Sequence, residues 1–417
     1  MRYLQISLMI ILFTFLSTVP ESLSSPYDSK EPPRVDDTGS ASQGIQEVVN
    51  ANNKFAFELY SQLSKSENGN VFYSPYSIFS ALAMTYEGAR GKTAEEMKSV
   101  FHFPELDILR PNFAVIYNEI IKGAKEYELR TGNALWVQHD FPLLNDYTSI
   151  VERYYGGKTA NLDFVKETEK SRQIINRFIE EQTNKKIKDL IPPGYLNILT
   201  RLVLTNAIYF KGTWQWQFDV SETTIGDFKI TPDNIIKVPM MKMRPEKATF
   251  NYAETEDLQI LELPYKGNKI SMLILLPRRD LNSIESSLTA EKLNEYKSKM
   301  KNTKLTLISL PKFEFDCKYF LEDVLSTLGM STVFSEEADF SGMTGSRNLF
   351  IDQVIHQAYV MVDEKGTEAA GATAVVMKGL SVAEPIVFRA DHPFIFLIQE
   401  KATGIILFVG KVVNPKS

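Results

Sequence analysis

Apolar positions early in the chain recur at helical spacing. Phe55, Leu59 and Leu63, then Ile78 and Leu82, fall on single faces, which predicts that helices dominate the first third. At Thr93-Ala-Glu-Glu96 a hydroxyl residue is followed three positions on by glutamate, the form of a capping box, so a helix start is expected there. From Ala134-Leu-Trp-Val-Gln138 onward the pattern changes. Unbroken apolar runs such as Leu202-Val-Leu-Thr205, Ile270-Ser-Met-Leu-Ile-Leu-Leu276 and Leu305-Thr-Leu-Ile-Ser-Leu310 end in Gly, Pro or charged residues, as buried strands do. Helical stretches at 171–182 and 290–300 interleave with them. The pattern predicts a mixed α/β (α+β) domain with large sheets and no internal repeat.

Composition adds boundaries to this picture. No Pro/Ser/Gly-rich linker interrupts the chain after about residue 45, so 46–417 is read as a single domain although 417 residues could make two or three. Arg2 precedes an apolar run from Ile6 to Leu16, and Ser17, Thr18, Pro20 and Ser22 then return to small and polar types. That layout predicts a secretory signal over 1–22 and an extracellular protein. The run is shorter than the roughly 20 residues of a membrane span, so no membrane anchoring is expected. Residues 23–45 read as a polar, disordered lead-in. The lone Cys317 cannot form an internal disulfide, which leaves stability to the core, and no Asn-X-Ser/Thr sequon occurs. A net charge of −6 lacks the basic footprint of a nucleic-acid binder. Lys122, Lys125 and Arg130 form a sparse basic group, read as a solvated helix face rather than a polyanion site.

Enzyme motifs fail one by one. Gly91-Lys-Thr93 ends like a phosphate-binding loop, but the first glycine of that motif would fall at position 86, where Tyr86 stands. There is no Gly-X-Ser-X-Gly elbow. His102, His139, His356 and His392 are scattered without a second ligand at metal spacing, so no metal and no cofactor are expected. Cys317, between Asp316 and Lys318, reads as a half-buried thiol rather than a nucleophile.

One stretch, 364–381, is built for two states. It carries charge at Glu364 and Lys365, turns at Gly366, and continues through small residues that suit either an exposed loop or a strand. It resembles the reactive-loop hinge of the serpins, a family of protease inhibitors, and the resemblance covers the chain from about Gln46 to the C-terminus. Asn70-Val-Phe-Tyr-Ser74-Pro75-Tyr-Ser77 and the helix after it, Gly88-Ala-Arg-Gly-Lys-Thr93, Asn206-Ala-Ile-Tyr-Phe-Lys-Gly-Thr-Trp214, Ala338-Asp-Phe-Ser-Gly-Met343, Val354-Ile-His356-Gln-Ala and Phe388-Arg-Ala-Asp-His392-Pro-Phe394, with Gly404 and Gly410, occur in the family's order.

The resemblance implies three sheets with a surrounding set of helices and an exposed reactive loop. It further implies a monomer that a target serine protease cuts as substrate, after which the loop inserts into the central sheet and traps the covalent acyl-enzyme. The implied hinge is Glu364, Gly366, Thr367, Glu368, Ala369, Ala370, Gly371, Ala372 and Thr373. In a strand, Thr367, Ala369, Gly371 and Thr373 face one side, beneath the sheet, while the charged Glu368 falls on the solvated side. Ser74, Ser77, Asn206 and His356 match the family's shutter, and Trp214 matches its breach. Hinge length places the reactive bond at Leu380-Ser381, which suits chymotrypsin-, elastase- or subtilisin-like enzymes. Lys378 is the competitor, and a two-residue slip to it would make the target trypsin-like. A non-inhibitory carrier or chaperone, and a cross-class inhibitor of cysteine proteases, stay open as alternatives.

Overall fold

The computed structural model describes residues 34–122, 126–245, 248–367 and 385–416. Among these, the strands form three sheets. The central one contains β1 (Tyr127–Thr131), β2 (Ala134–Gln138), β3 (Lys158–Leu162), β4 (Leu202–Thr213), β5 (Phe313–Phe320), β6 (Gln353–Val362) and the two-residue β7 (Gly366–Thr367). Its order is β5-β6-β7-β4-β2-β3, with β1 also on β4 and a direct pairing of β6 with β4. A second seven-stranded sheet runs from Val71–Tyr73 through Ile406–Val412, Phe394–Glu400 and Ile270–Pro277 to Lys301–Thr303 at its far edge. The third has four strands, Val387–Arg389, Leu307–Pro311, Asn234–Met243 and Asp219–Thr231.

Two helices show how sequence pattern becomes packing. In α1 (Ser42–Ser66) Phe55, Leu59 and Leu63 are all buried, as their spacing predicts. In α2 (Pro75–Tyr86) all twelve residues are buried, which a helix apolar nearly all round requires. Pro75 opens α2, where its missing N–H costs nothing, and the Ser74 hydroxyl caps it by accepting the Ser77 N–H at 3.1 Å. Helix α2 packs on both β4 and the strand Ile406–Val412, so it lies between the central and second sheets. Each fully buried Leu, Ile, Phe or Met there contributes about 1.5–3 kcal/mol relative to exposure.

The apolar runs at Leu202, Ile270 and Leu305 become strands, the last beginning only at Leu307, and the helices at 171–182 and 290–300 form as Thr168–Gln182 and Ala290–Ser298. Three expectations need correction. The helix expected to start at Thr93 is α3 (Gly91–Phe101), which begins two residues earlier after Arg90. The Thr93 hydroxyl lies inside it and accepts the Asp339 N–H at 2.9 Å, so a distant loop has taken the group that a capping box would use. The lead-in read as disordered to residue 45 joins the fold from Val35 onward. Val35 donates its N–H to Asn118 Oδ1 (3.0 Å) and accepts from Asn118 Nδ2 (2.9 Å), a partner 83 positions away that local composition cannot reveal. Arg130 sits on strand β1 beside Glu128, not on a helix face. Residues 1–22, read as the signal, lie outside the described residues. No helix among the described residues is long and apolar enough to cross a membrane, and no group of three or more His, Cys, Asp or Glu there could hold a metal.

Candidate functional site: a polar knot and a seated hinge

Strands β4 and β6 are parallel neighbours from Gln353↔Val203 to Tyr359↔Tyr209, and His356 pairs directly with Asn206. Both side chains are buried beneath the sheet, where α2 presents Ser74 and Ser77. The hydrogen bonds have one consistent direction. Ser74 N–H donates to His356 Nε2 at 3.0 Å, so the imidazole proton is on Nδ1 and donates to Asn206 Oδ1. Asn206 Nδ2 donates to Ser77 Oγ (2.7 Å) and to Asn133 Oδ1 (2.6 Å), and Ser77 Oγ donates to Asn133 Oδ1 at 2.9 Å. Ser74 Oγ turns the other way and donates to the Leu407 carbonyl at 2.6 Å, which ties the knot to the second sheet. Complete burial pushes the His356 pKa down to about 3. The geometry agrees, because a proton on Nε2 would face the Ser74 N–H, donor against donor.

Above this knot the two strands part and β7 lies between them. Thr367 pairs with Val362 of β6 on one side and with Gly212 of β4 on the other, and Gly366 pairs with Thr213. The approach is so close that a Cβ on Gly366 would stand 1.9 Å from the Gly212 carbonyl oxygen and 2.8 Å from Thr213 Cα. Only glycine fits. The turn expected at Gly366 lies before it instead, because the Asp363 carboxylate accepts the N–H groups of Lys365 (2.9 Å) and Gly366 (3.1 Å) and closes the turn earlier.

Three successive carbonyls of that turn are held from outside. Trp214 Nε1 donates to the carbonyl of Asp363 (3.0 Å), the Phe218 N–H to that of Glu364 (2.8 Å) and the Trp214 N–H to that of Lys365 (2.7 Å). The Trp214 ring stacks on Tyr265, centroids 4.5 Å apart, and the Tyr265 hydroxyl meets Thr367 Oγ1 at 2.7 Å. Glu364 is buried and accepts from Thr223 Oγ1 (2.8 Å) and Lys312 Nζ (2.9 Å). Burial raises its pKa, but those hydrogen bonds outweigh burial and leave the carboxyl below the usual glutamate value.

The structure therefore brings Ser74, Ser77, Asn206 and His356 into one cluster and sets Trp214 with Glu364, Gly366 and Thr367 in a second. Thr367, expected to pass beneath the sheet only after a cut, already lies there in this uncut chain, because the Asp363 turn and the parted strands give it a seat. Glu368, Ala369, Ala370, Gly371, Ala372, Thr373, Lys378, Leu380 and Ser381 lie outside the described residues. Sequence reasoning missed Asn133, Tyr265, Thr223 and Lys312. Asn133 carried one weak signal, a polar residue directly ahead of the apolar run at Ala134; the others carried none. Cys317 is half-buried, and burial pushes its thiol up to about 11.

Residues 50–415 match the family model described as serpin, a serine protease inhibitor. An uncharacterized serpin-like protein of Thermococcus kodakarensis is 44% identical over 376 residues, covering 88% of this chain and 86% of its own length. Leukocyte elastase inhibitor A of Rattus norvegicus is 37% identical over 380 residues, covering 89% of this chain and all of its own. Among solved structures, uncleaved ovalbumin superposes with a TM-score of 0.79 at 32% identity, over 88% of this chain and all of that one. A polar knot joining parallel strands β4 and β6, the pair Gly366–Thr367 seated above it and, decisively, a family match over nearly the whole described fold lead to one conclusion: this chain belongs to the serpin family.

Proposed function

We propose that this serpin is a single-use inhibitor of serine proteases that traps the acyl-enzyme by inserting its cut loop between β4 and β6. One observation carries the reading: the two strands are bonded below and parted above, with the first hinge residues already in register between them. The chain continuing from Thr367 extends that ladder as β4 and β6 part below it, exchanging their direct pairing for a strand bonded on both sides. About fifteen residues gaining roughly 0.5–1.5 kcal/mol per bond amount to on the order of 10–20 kcal/mol. A protease domain holds together by about 5–15 kcal/mol, so the pull suffices to distort it before water releases the acyl group. The uncut protein is then kinetically trapped.

In this reading the reactive bond is Leu380-Ser381, the small hinge residues 369–373 give insertion no steric obstacle, and the protein works as a secreted monomer. The name of the rat relative, an elastase inhibitor, agrees with an apolar residue at the reactive bond. Incubation with chymotrypsin-, elastase- and trypsin-like enzymes, followed by denaturing electrophoresis and mass spectrometry of the released C-terminal peptide, tests it. A complex that survives denaturation and a peptide beginning at Ser381 are expected. A peptide beginning at Gly379 would transfer the role to Lys378, and clean turnover of the chain by every enzyme would sink the inhibitory reading in favour of a carrier or chaperone.

A further inference from the structure

Tyr265 spends its one polar side-chain atom on the hinge residue Thr367. Its ring is fully buried between Trp214 and Phe210, with centroids 4.5 Å and 5.1 Å away. A hydroxyl in that position needs a partner, and the one it finds among the described residues is Thr367 Oγ1 at 2.7 Å. If Thr367 left the sheet, the Tyr265 hydroxyl would be left buried and unmatched. Gly212, beneath the ring, keeps the floor open, since a Cβ there would stand 2.7 Å from Tyr265 Cδ1 and 2.8 Å from Phe210 Cζ. Together these groups form a seat for one threonine at the head of the gap.

We infer that Tyr265 is a positioning residue for loop insertion: by holding Thr367 in register it seeds the new strand before any protease arrives, and so tilts the outcome toward trapping and away from turnover. The inference rests on the inhibitory reading above. The physical reason is the cost of nucleation. Starting a strand between two others fixes backbone dihedrals for few bonds, and each later residue adds to a ladder already in register. A seated Thr367 has removed the start from the sequence of events that must outrun deacylation. Tyr265 touches neither the cut bond nor the protease in this scheme; it acts through Thr367.

The test uses the full chain and three variants. Tyr265→Phe and Thr367→Val each delete the hydrogen bond at nearly constant shape, and Gly366→Ala drives the hinge out by collision with Gly212. In the uncut protein, hydrogen–deuterium exchange over 363–367 should be slow in the wild type and faster in all three. With a protease the wild type traps, the number of inhibitor molecules consumed per enzyme blocked should rise about two- to tenfold for Tyr265→Phe, the effect of one neutral hydrogen bond on the insertion rate. The double variant Tyr265→Phe/Thr367→Val should be no worse than either single, since all three lack the same bond and only the singles leave a hydroxyl buried without its partner, while the initial rate of loop cleavage stays unchanged. Loop-like exchange at 363–367 in the wild type would overturn the seed. Slow exchange with an unaltered stoichiometry in Tyr265→Phe and Gly366→Ala would overturn its role in partition. A wild type that traps no protease fails the inhibitory reading itself, and with it that role, whereas the exchange measurement still decides whether the seat exists.

Discussion

Strands β4 and β6 run side by side over seven residue pairs and then diverge, and the two halves of their path depend on opposite arrangements. In the lower half, the His356 Nδ1 proton and Asn206 Oδ1 are matched only while the strands touch, because they meet each other across the pair. In the upper half, the Tyr265 hydroxyl is bonded only while a third segment lies between the strands, and the same segment brings three carbonyls to Trp214 and Phe218. Backbone ladders are made in both arrangements. Buried polar side chains make the difference, since leaving one unmatched costs about 1–3 kcal/mol. The sheet is thus closed at one end and opened at the other by the same rule.

Breaking the lower arrangement should have the largest effect. Asn206→Leu removes the acceptor for His356 and a donor to Ser77 and Asn133 at once, and is expected to lower unfolding free energy by about 3–5 kcal/mol in chemical denaturation. A loss below 1 kcal/mol would mean that the knot does not hold the strands together. Acid should act on the same place more gently. His356 has a folded pKa of about 3 against an ordinary 6.5. Between those values the unfolded chain binds a proton that the folded chain refuses, so stability falls as pH drops below 6.5. By pH 5 the loss is about 2 kcal/mol. Comparing wild type with His356→Gln from pH 7 to pH 5 isolates this group, and equal slopes would remove His356 as its source. The smallest effect belongs to the upper half. Glu364→Gln keeps the shape but weakens the bond to Lys312, whose side chain is 39% exposed, so about 1 kcal/mol is expected. Exchange should quicken at 363–367 and stay unchanged around His356; a change at both would show that the two halves are mechanically one.

Much of this arrangement could be read from the chain alone, and the parts that could not share a cause. Continuous apolar runs marked β4 and the strand at Ile270–Pro277 because a strand buried on both faces has no polar period to hide it. The helix α2 and the residues of the knot on it were legible through the family resemblance. Asn133 was not, since its role depends on Ser77 and Asn206, 56 and 73 positions away. Tyr265 looks like any core tyrosine until Thr367 is seen against it. The seating of Thr367 was missed for a related reason: small residues permit both loop and strand, and what selects the strand is the space at Gly212, contributed by a distant segment. The misplaced cap at Thr93 repeats the lesson, because its hydroxyl answers to Asp339 rather than to its own helix.

The depth of the polar pair below the open end has a mechanical consequence. A crack travelling down between β4 and β6 first crosses Tyr359↔Tyr209, Ala358↔Ile208 and Gln357↔Ala207, and only then meets His356↔Asn206. The upper rungs yield one at a time, as a tear runs through cloth, and can close again behind a segment that stalls. The fourth differs, because parting it also breaks the buried His356–Asn206 side-chain bond, whose two members are anchored to Ser74 and to Ser77 and Asn133. A segment advancing between the strands would therefore cross three rungs before it reached the buried His356–Asn206 bond, so the depth of that pair sets how far an advance could go before it had to break a buried side-chain contact.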